Sequence, residues 1–234
     1  MRPAASSQGS PIPIHRSRST LGSKPSGHHA LGGEQAPLPR EFYNRTVLRV
    51  SRDLLGMILV RLLPDGRRFT GRIVEVEAYD GPGDLACHAS RGRTARTEPM
   101  FGESGHAYIY LVYGMYHCLN VVTSPAGYPA AVLIRAVEPI EGIEAMNAGR
   151  SGRPSHVASG PGRLTRAFKI DLSLNRSDLC IPASIWIAAG EPVPSREIAR
   201  GPRIGVDYAG SWARKPWRLG VCGHPALSRP FPET

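Results

Sequence analysis

An aromatic stretch from Gly105 to Val122 constrains the fold of this chain more than any other segment. It holds four of the chain's eight tyrosines, and β-branched and aromatic residues form two runs on either side of Tyr113–Tyr116. Such runs are typical of β-strands, and Gly114 supplies the backbone freedom that a tight reversal needs. The stretch therefore predicts a β-hairpin with an aromatic tip. A tip of this composition either packs beneath another loop or, if it is exposed, contacts a partner.

The charge of the chain indicates what kind of partner to expect. Its 234 residues include 29 Lys and Arg against 19 Asp and Glu, a formal net charge of +10 at pH 7. An excess of this size favours a polyanion, either nucleic acid or an anionic membrane surface. No apolar run approaches the ~20 residues that cross a bilayer, and the N-terminus lacks the apolar core of a signal peptide. We therefore expect an intracellular protein without a membrane span.

Residues 1–37 differ in composition from the rest of the chain. They are rich in Ser, Pro, Gly and His and show no apolar periodicity. Such a segment cannot bury enough apolar surface to offset the entropy of ordering it. The sequence predicts a disordered basic N-terminal tail over residues 1–37 and one folded domain over residues 38–234.

The cysteines argue against a metal centre. They are widely separated and form no Cys-x-x-Cys pair: Cys87, Cys118, Cys180 and Cys222. We expect free thiols in a reducing compartment. Two Cys/His dipeptides, at 87–88 and 117–118, could supply ligands, but adjacent residues on a strand point to opposite faces. The sequence predicts neither a metal nor a cofactor.

The remaining pattern predicts a mixed α/β (α+β) fold. Helices are indicated at 47–54, 139–147 and 161–169, and strands at 57–63, 69–79, 130–137, 184–188, 203–206 and 217–221. Most connections between strands are short, and few long helices alternate with strands. We therefore expect a single domain with a curved, mostly antiparallel sheet, surrounding helices and a protruding hairpin, and not a parallel doubly wound sheet.

The strand predicted at 69–79 carries acidic residues on one face. Strict alternation places two carboxylates and a tyrosine together with one apolar side chain: Glu75, Glu77, Tyr79 and Ile73. This face is either solvated, with two glutamates that have no chemical role, or part of an active site. The strand leads into a loop of turn residues and then His88, and functional residues tend to collect at such transitions.

Two arginine-containing segments add to this candidate site. The strand at 130–137 is apolar apart from Arg135, which predicts a central strand whose arginine needs a partner, either a structural glutamate or a bound ligand. Residues 90–96 place three arginines among small residues. Such a loop either contacts phosphates or is simply solvated.

Several motifs, taken in order, resemble the alkyladenine (3-methyladenine) DNA glycosylases. They are residues 71–79, His88, Met100-Phe101, 108–116, Asn120, 133–136, 138–139, 160–164 and 212–216, so the resemblance covers about residues 38–228. Enzymes of this family flip damaged purines out of duplex DNA before attacking the glycosidic bond. The resemblance implies a monofunctional base-excision-repair glycosylase that acts on 3-methyladenine, 7-methylguanine, hypoxanthine and ethenoadenine and leaves an abasic site.

The resemblance also implies roles for the residues that match. Glu77 would activate the attacking water, and Arg135 would help to hold the carboxylate and the water. Tyr113 would be inserted through the minor groove to fill the vacated stack, with Met115 against the duplex beside it.

Four further residues would form the pocket for the flipped base. Tyr79, His88 and Tyr110 would stack on the base and orient it. Asn120 would reject the exocyclic amino group of undamaged guanine. The sequence departs from the family pattern at Thr97, where Asn is common, and at Leu219-Gly220, which replaces an aromatic pair. These departures bear on lesion range and core packing more than on the catalytic carboxylate.

Other function classes fit parts of the sequence. A non-catalytic minor-groove protein that binds DNA damage needs the same charge and the same wedge, but a carboxylate such as Glu77 facing a polyanion would weaken its affinity. An RNA-handling domain is the third alternative, and the aromatic ribonucleoprotein motif is not found. We expect double-stranded DNA with damaged purines as the partner of a monomeric protein located on DNA, in the cytoplasm or nucleoid if the source is bacterial.

Overall fold

The computed structural model describes Met1, residues 35–148 and residues 156–232. Most of the tail predicted over residues 1–37 therefore lies outside the described residues. The folded unit begins at Gln35, and Pro37 already forms a β-bridge with Ala188. Within the described parts, no helix is long and apolar enough to cross a membrane.

The described residues form four α-helices and eight β-strands. The helices are α1 (Arg40–Tyr43), α2 (Val47–Leu54), α3 (Ile143–Asn147) and α4 (Pro161–Ala167). The strands are β1 (Ile58–Leu62), β2 (Arg68–Asp80), β3 (Ala107–Val112), β4 (Tyr116–Thr123), β5 (Ala130–Glu141), β6 (Ile185–Ala188), β7 (Ile198–Gly201) and β8 (Arg218–Val221). Short 3-10 segments connect several of these elements, including His88–Arg91 and Asp207–Arg214.

All eight strands belong to one open antiparallel sheet. Its order is β3-β4-β5-β2-β1-β6, while β8 pairs with both β2 and β7. The α+β prediction is confirmed, because neighbouring strands pair antiparallel and are not joined by parallel crossovers. Strand β5 is central, as its apolar sequence predicts.

Helix α2 covers one face of the sheet, as its apolar periodicity predicts. Its buried side chains Val47, Val50 and Leu54 pack in the main core together with Val76 and Ala78 of β2. This face of β2 lies opposite the side chains of its two glutamates, because side chains alternate along a strand. The core therefore leaves the glutamate face free to form a site.

A β-bulge changes the alternation predicted for β2. The register with β5 shifts between Ile73 and Glu75 and again between Glu75 and Val76. Ile73 consequently packs in the main core with Val76, whereas Val74 packs with Ala136. The prediction that Ile73 shares a face with the glutamates is wrong, because one extra residue in a bulge inverts the alternation.

Two other predicted elements differ from the observed ones. Residues 139–141 continue strand β5, with Pro139 opposite Gly71, so the following helix is only α3. Residues 203–206 are not a strand, and the strand next to β8 is β7 instead. Pro202 follows β7 directly, and a proline has no N–H to continue the ladder.

The tyrosine-rich hairpin is confirmed as β3 and β4, and its tip is exposed. The Met115 N–H donates to the Val112 carbonyl at 3.1 Å, and the two residues between them, Tyr113 and Gly114, have φ values of 51° and 67°. A positive φ is ordinary for glycine but uncommon for tyrosine. Tyr113 is 87% exposed, so the alternative in which the tip packs beneath a loop is excluded.

Helix α4 supports the base of this tip. The Thr165 hydroxyl donates to the His117 carbonyl at 2.9 Å. Gly162 lies against the Tyr116 ring, where an added Cβ atom would come within 3.0 Å of the ring carbons. A side chain at this position would therefore have to push the partly exposed Tyr116 ring aside by a few tenths of an ångström.

Candidate active site

The Glu77 carboxylate is the most constrained group of the site. It is fully buried and accepts hydrogen bonds from the Ile204 N–H at 2.7 Å and the Tyr79 hydroxyl at 2.8 Å. Its Oε1 atom also lies 3.2 Å from an Arg135 nitrogen. A buried carboxylate needs such partners to remain charged. Both carboxylate oxygens therefore have a fixed orientation.

Arg135 lies between the two glutamates of β2. Its Nε atom is 3.1 Å from Glu75, and a terminal nitrogen donates to the Ser228 hydroxyl at 3.2 Å. Burial acts to lower the pKa of Arg135, but the Glu77 and Glu75 charges outweigh it, and the net pKa is raised. The guanidinium therefore remains charged. This contact supplies the structural glutamate that the sequence predicted as one of two possible partners.

Glu75 does not line the cleft that Arg135 lines, and instead anchors Arg135. It is fully buried and accepts from Arg218 at 3.1 Å, and from the Ser228 N–H at 2.6 Å and hydroxyl at 2.8 Å. Two cations and a hydrogen-bonding serine thus compensate one buried anion. The pair of glutamates predicted from alternation has two distinct environments.

A second buried ion pair fixes the other side of Glu77. Arg203 pairs with Asp84 and donates to the Ala78 carbonyl at 2.8 Å, and its guanidinium lies 4.9 Å from the centre of the Tyr79 ring. Because Ile204 follows Arg203 directly, this pair also holds the N–H that binds Glu77. Burial raises the pKa of Tyr79 well above its usual value, and the nearby Glu77 charge adds to this effect. The Tyr79 hydroxyl therefore keeps the proton that it donates.

A cleft of about 430 Å³ opens beside this network. Tyr79, Arg135 and Ile204 line it, so the three groups that hold Glu77 separate its carboxylate from the cleft. Among the described residues that line the cleft, none is acidic. Its volume is within the range of ~300–1,000 Å³ typical of small-molecule sites.

His88 and Tyr110 form an aromatic wall of the cleft. Their ring centres are 4.5 Å apart at 73°, and the His88 Nδ1 atom is 2.9 Å from the Tyr108 hydroxyl. Burial lowers the pKa of His88 to about 4, and the charges of Arg96 and Arg91 add to this effect. The imidazole is therefore neutral near pH 7 and can both donate and accept a hydrogen bond. The Arg96 guanidinium lies 5.0 Å from the Tyr110 ring centre.

Asn120 reaches the same cleft from strand β4. It pairs with Tyr108 in the β3–β4 ladder, and its amide donates to the Tyr108 carbonyl at 3.0 Å. This bond fixes the side chain against the cleft wall. Tyr108, which the sequence analysis did not single out, therefore orients both His88 and Asn120.

The two residues predicted to contact the DNA stack face different surfaces. Tyr113 lines the cleft together with the predicted pocket residues. Met115 is 68% exposed and lies instead in a neighbouring groove with Tyr116 and Arg166. The structure thus brings together seven of the eight predicted site residues: Glu77, Arg135, Tyr79, His88, Tyr110, Asn120 and Tyr113.

Sequence reasoning missed several residues that hold the site. Arg218 could have been found in the same way as Arg135, since it is an arginine within a short apolar strand. The Asp84–Arg203 pair has no local signal, because the two residues are far apart in sequence, and a backbone N–H such as that of Ile204 has none either. Across the described parts of the chain, no three His, Cys, Asp or Glu side chains come together as metal ligands.

Comparison with known proteins identifies the family. The sequence profile of the family described as "Methylpurine-DNA glycosylase (MPG)" matches residues 41–225. A protein of Methanocella arvoryzae is 54% identical over 197 residues, which cover 83% of this chain and 97% of the relative. A protein of Myxococcus xanthus is 53% identical over 184 residues, covering 79% and 89%, and one of Streptomyces avermitilis is 45% identical over 199 residues, covering 83% and 92%.

Each of these three relatives bears the name "Putative 3-methyladenine DNA glycosylase". The matched residues include both strands of the tyrosine-rich hairpin and the strand that carries Glu77. DNA glycosylases are hydrolases that begin base excision repair, and their substrate is DNA. The chain therefore belongs to the methylpurine-DNA glycosylase family and is a DNA-repair hydrolase.

Proposed function

We propose that this enzyme releases 3-methyladenine, 7-methylguanine, hypoxanthine and ethenoadenine from double-stranded DNA, with Glu77 as the general base. The observation that carries the proposal is a buried carboxylate, oriented by three hydrogen-bonding groups, directly behind a cleft large enough for a purine. Pre-oriented groups of this kind lower the reorganisation needed in the transition state.

The chemical step needs water, a carboxylate and a leaving base. A water molecule attacks C1′ of the flipped nucleotide, and its proton passes to Glu77 as the glycosidic bond breaks. The bond electrons leave with the purine, and the sugar keeps the water oxygen as a hydroxyl group. The nucleotides of 3-methyladenine and 7-methylguanine carry a cationic purine that leaves as a neutral base, whereas hypoxanthine and ethenoadenine leave as anions and take up a proton from solvent. In each case the protein must deliver water and stabilise an oxocarbenium-like sugar.

Access to Glu77 requires a local rearrangement. Tyr79 lies between the carboxylate and the cleft, and its hydroxyl occupies Glu77 Oε2. We expect the flipped base to displace this hydroxyl, which frees Oε2 to accept the proton of water. Arg135 and the Ile204 N–H hold Oε1 throughout, so the carboxylate stays in place.

Base recognition follows from the cleft wall. Tyr79 and Tyr110 supply ring faces for stacking, and the neutral His88 supplies a hydrogen-bonding group without a charge that would repel a cationic purine. The Asn120 side chain, held by its bond to the Tyr108 carbonyl, would meet the exocyclic amino group of a bound guanine and so disfavour it.

Capture of the extrahelical nucleotide depends on the hairpin tip. Tyr113 is exposed and lines the outer part of the cleft, so one side chain can occupy the vacated stack while the base lies in the pocket. Wedge insertion of this kind offsets the loss of base stacking. We propose that Met115 contacts the duplex beside this wedge and that the protein acts as a monomer inside the cell.

Excision assays on defined duplexes test the proposal. Each duplex carries one of the four lesions, and abasic sites are scored by alkaline strand cleavage. We expect release from at least one of them, a loss of at least about 10²-fold in single-turnover rate for Glu77→Gln, and retained binding of that variant. Glu41→Gln, a change at an exposed glutamate on α1, is the matched control.

Two outcomes would contradict the proposal. Absence of base release by the wild-type protein from all four duplexes would overturn the substrate assignment. Substantial excision by Glu77→Gln would overturn the assignment of Glu77 as the base and leave the substrate assignment intact.

A further inference from the structure

The segment after strand β8 forms a strap across the site. We use the name C-terminal strap for residues 226–232, which lie beyond the residues matched by the family profile, 41–225. Ser228 binds Glu75 through both its N–H and its hydroxyl. The strap is therefore attached to the same buried carboxylate that anchors Arg135.

Arg218 fixes the remainder of the strap. Its guanidinium donates to the Arg229 carbonyl at 3.1 Å and the Pro230 carbonyl at 3.0 Å, and it lies 3.8 Å from the centre of the Phe231 ring. Gly220 packs against that ring, since a Cβ atom there would lie 2.7 Å from Phe231. These contacts hold the strap backbone without using the Arg229 side chain.

Arg229 lines the cleft from this fixed backbone. The residue is exposed and contributes to the same cleft wall as Tyr79, Arg135 and Tyr113. Among residues 35–148 and 156–232, no carboxylate forms an ion pair with its guanidinium. An arginine on a rigid backbone with unused donors is well suited to bind a phosphate through its fork.

The other cations of the cleft wall are already engaged. Arg135 contacts both buried glutamates, and Arg96 lies over the Tyr110 ring. A nucleotide whose C1′ atom approaches Glu77 must place its flanking phosphates at the cleft opening, because the sugar connects the base to both phosphates. Among the described residues of the cleft wall, Arg96 and Arg229 are the arginines whose guanidinium has no carboxylate partner, and only Arg229 has no aromatic ring beneath it.

We propose that Arg229 binds a phosphate that flanks the flipped nucleotide. The contact deepens the proposed function and rests on it, since the phosphate reaches Arg229 only when the nucleotide is extrahelical. It adds a DNA-binding residue that lies outside the family match. It also links DNA capture to the catalytic centre, because Glu75 holds both the strap and Arg135.

Equilibrium binding without turnover tests this contact. The probes are a duplex with a tetrahydrofuran abasic analogue, which has no base to release, and the matching undamaged duplex, both measured by fluorescence anisotropy across a salt series. We expect Arg229→Ala to weaken binding of the abasic duplex about tenfold and to reduce the salt slope by about 0.9, the value for one phosphate contact. Binding of the undamaged duplex should change less than about threefold, because Arg229 contributes to it only through non-specific electrostatic attraction.

Two variants serve as controls. Arg49→Ala removes an exposed arginine from α2, which packs on the sheet face opposite the glutamates, and should leave the preference for the abasic duplex unchanged. Arg229→Lys should retain part of the affinity, because lysine keeps the charge and loses the fork. Thermal unfolding of each variant checks that the strap remains folded.

An equal loss on both duplexes, or no loss on either, would overturn the proposal. Base excision from the lesion duplexes tests the proposed function separately, because the abasic duplex has no base to release. A protein that releases no base but shows the Arg229-dependent preference would contradict only the catalytic proposal, and the reverse result would contradict only the phosphate contact.

Discussion

The inner and outer ends of the cleft place opposite demands on their functional side chains, one for burial and one for exposure. At the inner end, Glu77 is fully buried and held by Tyr79, Arg135 and Ile204. At the outer end, Tyr113 is 87% exposed and has a φ of 51°. A catalytic carboxylate must keep one position, whereas a wedge must remain uncovered until DNA arrives.

The two ends of the cleft cost the folded protein free energy in different ways. Burying Glu77 requires a network of compensating charges, so its geometry is coupled to the stability of the sheet. Exposing Tyr113 requires only a strained turn residue, which the hairpin ladder tolerates. Changes at the inner end should therefore affect folding and chemistry together, while changes at the tip should affect DNA capture alone.

The largest effect is expected for Arg135→Met. This change leaves two fully buried glutamates without the cation between them, and breaking a buried pair in this way costs about 3–5 kcal/mol of unfolding free energy. Urea denaturation measures the stability, and single-turnover excision should fall in parallel. Arg49→Ala should stay within about 0.5 kcal/mol of wild type. A stable Arg135→Met protein would show that the inner network does not couple chemistry to folding.

Tyr113→Ser tests the outer end. The variant lacks the ring that fills the vacated stack, and a stacked aromatic contact is worth about 1–3 kcal/mol, or roughly 5- to 150-fold in affinity for lesion-containing duplex. Stability should change by less than about 0.5 kcal/mol, because the side chain is exposed. Anisotropy with lesion and undamaged duplexes gives the measurement. Tyr113→Phe should bind like wild type, because it keeps the ring. If Tyr113→Phe lost as much affinity as Tyr113→Ser, the proposed role of the Tyr113 ring as a wedge would be contradicted.

His88, in the cleft wall between the two ends, should make the stability of the protein depend on pH. The folded protein binds a proton at His88 only near pH 4, while an unfolded histidine binds it near ~6.5. The unfolded state is therefore favoured as pH falls through this window, by on the order of 1–2 kcal/mol at pH 5. Urea denaturation at pH 7 and pH 5 should show a smaller loss for His88→Gln. Equal losses in both proteins would contradict the lowered pKa.

The smallest effect is expected for Gly162→Ala. This variant tests whether the position of the hairpin tip affects DNA binding independently of protein stability. The new Cβ atom would press on the Tyr116 ring, while alanine is favoured over glycine in a helix by up to about 1 kcal/mol, so the two effects should nearly cancel in stability. A displaced tip should still weaken binding to lesion-containing duplex by about two- to fivefold, equivalent to about 0.4–1 kcal/mol. Gly83→Ala is the control, because no heavy atom lies within 4 Å of its added Cβ. Unchanged binding by Gly162→Ala would show that α4 does not position the wedge.

Local patterns were sufficient for most of the fold. The amphipathic period at 47–54, the aromatic hairpin and the apolar run at 130–137 predict α2, β3–β4 and the central β5, because short-range side-chain spacing decides these elements. The same local motifs place Glu77 and Tyr79 near one another. The errors fall at the β2 bulge, at residues 139–141 and at 203–206, where pairing with a distant strand or a buried ion pair outweighs local preference.

The sequence by itself determined most of the strands, the wedge candidate, the carboxylate candidate and the family to which they belong. Only the tertiary structure decided that Glu75 and Glu77 share Arg135, 60 residues from Glu75, and that Ser228, 153 residues from Glu75, completes this network. Neither contact has a periodicity or spacing that a linear reading could detect. Burial decides them, because a charge inside the sheet must find a partner wherever the fold supplies one.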